Sequence, residues 1–198
     1  LLGRSDFAIN EPTWAQGIND EATLKKAAMN ELVAQGDKPT PVKVQQFIRP
    51  ILSSREIAAA LASIQAVGGT AEYVSVDVTD AKKLQQAIKP VVKSLGAITG
   101  IIHGAGVLAD KFIEQKTLAE FDAVYRTKID GLQAMLATVK AEQLKHLVLF
   151  SSAAGFYGNP AQSDYSMANE ILNKTAFRYK KLHPTTQVLS FNWGPWDG

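Results

Sequence analysis

Apolar residues cluster in four short runs that lack the alternation of a strand with one solvent-facing side. The runs cover residues 71–76, 97–102, 146–150 and 187–191. Strands that are covered on both faces have this continuous apolar character, and such strands are typical of parallel sheets. The pattern therefore predicts four buried parallel strands.

Helical periodicity fills the segments between these runs. Apolar residues recur every three or four positions within 79–95, despite Pro90. The sequence from Thr117 to Glu120 matches a capping box, which predicts a helix over about 117–140, and a third helix is predicted over about 164–182. Because strands and helices alternate, the predicted fold class is α/β with a doubly wound parallel sheet.

One segment, at about 6–52, interrupts this alternation. It contains a periodic stretch at 20–35, which Gly36 should end, and it is rich in prolines at 12, 39, 41 and 50. A further helix predicted over about 53–67 then leads back to the sheet. We interpret the whole chain as one domain, 1–198, that carries a helical insertion.

Composition removes several function classes. The chain has 198 residues, a formal charge of +2 and 46% hydrophobic residues, as expected of one globular domain. This small excess of scattered positive charge argues against a nucleic-acid partner. No apolar run approaches the ~18 residues of a membrane span, and the first residues show no secretory signal, so we expect a cytoplasmic protein without a membrane partner. With no cysteine and only three histidines, no metal site is expected.

Unusual residues follow three of the predicted strands. Asp77 follows the first, the small-residue segment 103–106 (HGAG) the second, and 151–155 (SSAAG) the third. Ligands of doubly wound sheets bind at the carboxyl ends of the strands, and small residues there allow close approach to a ligand. Each segment alone could be an ordinary tight turn, but together they favour a ligand crevice.

Lys128 falls on the apolar face of the predicted helix 117–140. A lysine on a buried face is costly unless it is paired or functional, although it can also extend its ammonium group to the rim. Tyr165 and Asn169 share one edge of the next helix, because they are four residues apart. Serine, tyrosine and lysine could therefore converge at the crevice.

Such a group of side chains suits the reduction of a carbonyl. A phenol ordinarily loses its proton near pH ~10, and a nearby ammonium stabilises the phenolate. A serine could hold the carbonyl while the tyrosine protonates the developing alkoxide. The hydride must come from a nicotinamide, because no side chain donates one.

Several motifs resemble the ketoreductase domain of polyketide and fatty acid synthases, a complex branch of the short-chain dehydrogenase/reductase superfamily. They are LVLFSSAAGFYGNPAQSDYSMAN at 147–169, HGAGVLAD at 103–110, DVTD at 77–80 and NWGPW at 192–196. The match covers residues 1–5 and resumes at about 53, and the insertion with its following segment most resembles the ketoreductase of bacterial polyunsaturated fatty acid synthases. The resemblance implies a Rossmann-like sheet that binds a dinucleotide.

The resemblance also implies roles for individual residues. Tyr165 matches the proton donor, Ser152 the carbonyl-binding serine, and Lys128 and Asn169 the lysine and asparagine that ketoreductases exchange relative to simple short-chain dehydrogenases. Asp110 matches the final residue of a Leu-Asp-Asp signature for the 3R alcohol, although Ala109 departs from that signature. The implied cofactor-binding residues, besides Lys128 and Tyr165, are Arg4, Ser5, Asp77, Val78, Ala105, Gly106, Gly194 and Pro195.

Two family features are expected to lie outside this chain. The glycine-rich first turn is absent, since the chain opens at LLGRS, which resembles the end of the family's second strand, and the lid after the WGPW segment is cut off at Gly198. We therefore interpret the fold as truncated at both ends, without the first βα unit and the lid. Arg4 favours NADPH, because a guanidinium at that position can pair with a 2′-phosphate.

The implied reaction is NADPH-dependent reduction of a 3-oxoacyl thioester, held on an acyl carrier protein, within a multidomain synthase. Its partners would be that carrier-bound substrate and the other synthase domains. Two alternatives remain. The chain could be the inert structural half of a ketoreductase, which would not need Ser152, Tyr165, Lys128 and Asn169 together. It could also be a nucleotide-sugar epimerase or dehydratase, in which a lysine is expected at position 169.

Overall fold

In the part of the chain that the structure describes, five strands pair in parallel and form two sheets. The computed structural model describes residues 1–8 and 10–195, so Trp196, the last residue of the NWGPW motif, lies outside the described residues. The chain divides into two compact units, Leu1–Val76 and Asp77–Gly198. Each unit contains one sheet and its helices.

The first unit combines a two-stranded sheet with two helices. Strand β1 (Leu2–Gly3) pairs in parallel with β2 (Val74–Ser75). Helix α1 (Glu21–Ala34) begins after the N-cap Asp20 and is followed by Gly36, whose φ of +80° favours glycine. These bounds agree with the predicted helix at 20–35.

Helix α2 (Pro41–Ala66) corrects the prediction for the following segment. The sequence predicted a helix only from about residue 53, with Pro50 outside it. In the structure the helix already begins at Pro41 and runs through Pro50. Apolar side chains on both sides of Pro50 are buried in one cluster with α1, and this packing offsets the hydrogen bond that a proline cannot donate. The buried members of the cluster are Ala15, Leu24, Ala28, Leu32, Val44, Ile48 and Ile51.

The second unit is built on a three-stranded sheet in the order β3-β4-β5. Its strands are β3 (Gly100–His103), β4 (His146–Ser152) and β5 (Gln187–Trp193). The register places Ser152 of β4 opposite Trp193 of β5. The carboxyl ends of the strands therefore meet at one edge, as the predicted fold class requires.

Helices of the second unit connect and cover these strands. They are α3 (Ala81–Leu95), α4 (Leu118–Tyr125), α5 (Gly131–Leu136), the short α6 (Ala154–Tyr157) and α7 (Ser163–Leu182). The predicted capping box is present, since Thr117 and Glu120 exchange hydrogen bonds at the start of α4.

The helix predicted over 117–140 is not continuous. A π-helical turn, Arg126–Asp130, separates α4 from α5, and the helical segment ends at Leu136. Within the described residues, no helix combines the length and the apolar composition that a bilayer crossing requires.

Candidate active site

A cleft of about 390 Å³ opens at the carboxyl edge of the three-stranded sheet. It brings together Ser152 from the end of β4, Tyr165 from the first turn of α7, and Lys128 from the π-helical turn. Glycines and aromatic side chains complete its wall. The full lining is Gly104, Gly106, Val107, Leu108, Lys128, Phe150, Ser151, Ser152, Tyr165, Trp193 and Gly194.

The Lys128 side chain is buried, and the residue is only 4% exposed. Its Nζ donates a hydrogen bond to the carbonyl oxygen of Phe150 at 3.0 Å and lies 5.4 Å from the centre of the Tyr165 ring. Burial lowers the pKa of this ammonium to about 8, because desolvation disfavours the charged form. The side chain thus remains mainly protonated at neutral pH, beside the phenol.

The backbone at Lys128 is held by His103, a buried residue at the end of β3. Nε2 of His103 lies 2.8 Å from the carbonyl oxygen of Lys128, and because a carbonyl only accepts, Nε2 carries the hydrogen. Burial lowers the pKa of His103 to about 4, so the ring is neutral near pH 7. The sequence placed His103 at a strand end, but no pattern connected it with Lys128.

Ser152 and Asn169 occupy different positions around Tyr165. The hydroxyl oxygen of Ser152 accepts from the backbone N–H of Ala154 at 3.2 Å, which leaves its O–H available as a donor towards the cleft. Asn169 is fully buried one turn along α7, where its Nδ2 donates to the backbone carbonyl of Tyr165 at 2.8 Å. Oδ1 of Asn169 has no hydrogen-bond partner among the described residues. Asn169 thus contacts the backbone that carries Tyr165.

Other predicted site residues of the second unit belong to the cleft lining or lie within two residues of it in the chain. Gly106 and Gly194 line the cleft, next to Ala105 and Pro195 in the chain. Asp110 lies just beyond Leu108, and its carboxylate accepts a hydrogen bond from Gln162 at 2.8 Å.

Two further predicted pairs are not part of this lining. Asp77 accepts hydrogen bonds from the N–H and hydroxyl of Thr79, and Val78 is buried. Arg4 and Ser5 belong to the first unit, where Arg4 is exposed and the backbone carbonyl of Ser5 accepts from the hydroxyl of Tyr73. Their roles stay predictions.

Two features of the site were not predicted from the sequence. The rings of Phe150 and Trp193 stack 5.6 Å apart and form an aromatic wall. Lys116 and Asp164 form a buried ion pair at 2.7 Å next to Tyr165. Phe150 and Trp193 lie on neighbouring strands, so their contact can be recognised only when the strand register is known. Lys116 and Asp164 are 48 residues apart, so no local sequence pattern links them.

The residues present fit a flat, partly anionic cofactor. At Gly106 an added Cβ would lie 3.4 Å from Cε and 3.5 Å from Nζ of Lys128, so glycine keeps the approach to the ammonium open. An ammonium has three donor hydrogens, and the bond to Phe150 uses one. Lys128 can therefore also bind hydroxyl groups of a ribose.

Comparison with known families agrees with this site. The model of the KR domain family matches residues 24–198. The chain belongs to the KR domain family. These ketoreductases are oxidoreductases of the short-chain dehydrogenase/reductase type, and the family uses a nicotinamide cofactor.

Relatives of this KR domain occur in large synthases. The chain is 46% identical over 204 residues to a polyunsaturated fatty acid synthase polypeptide of Thraustochytrium sp. (strain ATCC 26185 / S-3), a match that covers 100% of the chain and 7% of that protein. It is 32% identical over 143 residues to the polyketide synthase PksN of Bacillus subtilis (strain 168), covering 70% of the chain and 3% of that protein. The chain thus spans a small part of these relatives.

Solved ketoreductases share its fold. An N-terminal ketoreductase from the macrolactin assembly line superposes with a TM-score of 0.66 at 34% identity, over 73% of this chain and 30% of that one. A ketoreductase domain from the bacillaene assembly line gives a TM-score of 0.62 at 32% identity, over 69% of this chain and 34% of that one. The Rossmann-like α/β fold expected from the sequence is confirmed.

Proposed function

We propose that this KR domain reduces a 3-oxoacyl thioester, carried on an acyl carrier protein, to the 3-hydroxyacyl thioester with NADPH. The observation that supports this proposal best is the cleft that Ser152, Tyr165 and Lys128 line together. It offers a hydroxyl donor, a phenol and a buried ammonium at the sheet edge where doubly wound folds bind ligands.

Ser152 is proposed to bind the substrate. Its hydroxyl donates to the 3-oxo oxygen, which polarises the carbonyl and favours the negative charge that develops on that oxygen. Tyr165 then donates its phenolic proton to the same oxygen. The C=O double bond becomes a C–O single bond with a new O–H, so Tyr165 acts as the general acid.

Lys128 is proposed to help Tyr165 to release its proton. Its ammonium lies near the phenol ring and stabilises the negative charge left on the phenolate after proton transfer. The hydrogen bond from Nζ to the carbonyl of Phe150 holds the ammonium group in position. Asn169 supports the same arrangement through the backbone carbonyl of Tyr165.

A nicotinamide cofactor, when bound, supplies the hydride for the carbonyl carbon. Gly106 and Gly194 line the part of the cleft that we assign to it, and Lys128 would hold its ribose. We assign the adenine end to Asp77 and Val78. The preference for NADPH rests on Arg4 and Ser5, since a guanidinium binds a 2′-phosphate well.

The synthase context supports the substrate and partner assignment. A similar chain segment lies in a polyunsaturated fatty acid synthase, and others lie in polyketide synthases. We infer that the substrate arrives on an acyl carrier protein and that other synthase domains are the partners.

Tyr165→Phe in the full-length protein tests this function. The variant keeps the ring but removes the proton donor, so turnover of a model 3-oxoacyl thioester should fall by at least ~100-fold, measured as NADPH oxidation. Ser152→Ala should cause a comparable loss because it removes one donor to the developing oxyanion.

Tyr179→Phe is the matched control, because it makes the same change further along the same helix. It should retain the unmodified turnover. If Tyr165→Phe reduced the thioester at the unmodified rate while remaining folded, Tyr165 would not be the proton donor and the mechanism would be wrong. If the folded, unmodified protein reduced no thioester, an inert structural role would be favoured.

A further inference from the structure

A buried ion pair lies beside the proposed proton donor. Nζ of Lys116 lies 2.7 Å from Oδ2 of Asp164, and the two side chains are 4% and 1% exposed. Asp164 immediately precedes Tyr165, and its other oxygen, Oδ1, accepts the backbone N–H of Tyr165 at 2.9 Å. Each oxygen of the carboxylate therefore accepts a hydrogen bond, one from the backbone of the helix that carries Tyr165 and one from Lys116.

Lys116 connects this carboxylate to another segment of the cleft wall. Its ammonium also donates to the carbonyl oxygen of Ala109 at 2.6 Å. Ala109 follows Val107 and Leu108, which line the cleft, and precedes Asp110. One buried ammonium thus joins the 107–110 wall to the start of α7.

Two other hydrogen bonds run between the same segments. Gln162 donates to the carboxylate of Asp110 at 2.8 Å, and the N–H of Lys111 donates to the carbonyl of Ala161 at 2.9 Å. The ion pair is the buried part of this connection, so water does not compete with it.

Stability alone does not explain such a pair. Buried ion pairs lose much of their attraction to desolvation, and apolar residues of similar volume often serve stability equally well. An ion pair with three hydrogen bonds does, however, specify one relative position of two segments more sharply than an apolar contact. The feature that it fixes here is the spacing between the cleft wall and Tyr165.

We propose that Lys116 and Asp164 are positioning residues that hold the 107–110 wall in register with Tyr165 and so determine which face of the substrate carbonyl is reduced. This inference rests on the proposed ketoreductase function. Neither residue touches the reacting atoms; both act through Tyr165 and through the wall that the substrate contacts.

The test uses the double variant Lys116→Met/Asp164→Asn in the full-length protein. The variant removes both charges together, so no unpaired charge stays buried, and asparagine can still accept the N–H of Tyr165. We expect kcat to fall about 10- to 100-fold and the minor product enantiomer to increase at least about tenfold, because small misplacements of reacting groups are costly. The KM for NADPH should not change.

The matched control is Lys111→Met/Glu120→Gln. It makes the same chemical changes in the neighbouring ion pair, which is partly exposed, and glutamine preserves the capping box. This variant should keep the enantiomer ratio of the unmodified protein. Hydrogen exchange of 107–112, measured without substrate, should accelerate in the double variant and not in the control.

The enantiomer ratio separates positioning from folding, because partial unfolding lowers the rate of both products equally. If the double variant does not fold, Asp164→Glu replaces it, since it keeps both charges but lengthens the link by one methylene. The inference is overturned if the unmodified protein reduces the thioester and the folded variant gives the same ratio of enantiomers. If the unmodified protein forms neither enantiomer, the proposed function itself fails.

Discussion

Lys128 shows how burial adjusts a single side chain for the proposed chemistry. Its pKa of about 8 arises from desolvation, and the charged form is needed to stabilise the phenolate. Because the ammonium is protonated below this pKa and neutral above it, kcat/KM, which reports the free enzyme, should be level near pH 7. It should fall about tenfold per pH unit above pH 8, in a steady-state pH profile of the full-length protein.

Lys128→Arg is the informative variant for this profile. A guanidinium stays charged throughout the range, so the variant should lose the decline above pH 8, even if its turnover is lower. Lys128→Met, which has no charge, should lose at least ~100-fold of the turnover at pH 7 and should show no decline above pH 8. The same decline above pH 8 in Lys128→Arg would assign it to another group.

At the residue level, the sequence could point only to side chains that lie within recognisable motifs. Ser152, Tyr165 and Lys128 were selected from the sequence, and the structure brings them into one cleft, while their roles remain proposals. Lys116 and Asp164 could not be paired in advance, because their contact depends on how α7 packs beside the loop after β3. The contact of His103 with the Lys128 carbonyl likewise depends on the π-helical turn.

Among the helices, tertiary packing decided whether a helix continues through a proline where the local sequence was ambiguous. Pro90 was correctly predicted to lie within a helix, and α3 runs through it, whereas Pro50 was wrongly placed outside one. Apolar spacing was clear around Pro90. Around Pro50 the proline-rich composition concealed the same periodicity, and burial against α1 preserves the helix.

The contact between α6 and α7 depends on Gly155. An added Cβ there would lie 3.0 Å from Cβ of Asn169 and 3.0 Å from the backbone nitrogen of Glu170, neither of which can move freely within α7. Gly155→Ala should therefore destabilise this region by about 1 to 3 kcal/mol. Hydrogen exchange of 154–170 in the full-length protein measures the change.

Gly100→Ala is its matched control. At Gly100 the nearest atoms to an added Cβ are those of His146, at 3.7 and 3.8 Å, which is ordinary contact. This variant should leave the exchange of 154–170 unchanged. Equal exchange in Gly155→Ala and the unmodified protein would show that α6 does not depend on close packing there.

At the scale of the whole molecule, the proposed cofactor preference depends on Arg4 in the first unit. Arg4→Ala in the full-length protein should weaken NADPH binding by about 1.5 to 3 kcal/mol, or roughly 10- to 150-fold in Kd, because a charged hydrogen bond is lost. NADH binding should hardly change, since NADH lacks the 2′-phosphate. Calorimetric titration with both cofactors measures the two affinities.

Arg49→Ala is the control for this titration, since Arg49 is an exposed arginine of the same unit. It should leave the affinity for both cofactors unchanged. Equal losses of NADPH and NADH affinity in Arg4→Ala would remove Arg4 from the phosphate site.

Transfer of deuterium to a 3-oxoacyl thioester, from NADPH that carries deuterium at both C4 positions of the nicotinamide, tests the central claim most directly. Mass spectrometry and chiral separation of the product from the full-length protein report both the transfer and its stereochemistry. We predict a 3-hydroxyacyl thioester with one deuterium at C3 and, from Asp110, the 3R configuration. A mainly 3S product would contradict the assignment of Asp110 alone. If no labelled product forms, although the protein is folded and binds NADPH, the claim that this domain catalyses the reduction of a 3-oxoacyl thioester is wrong.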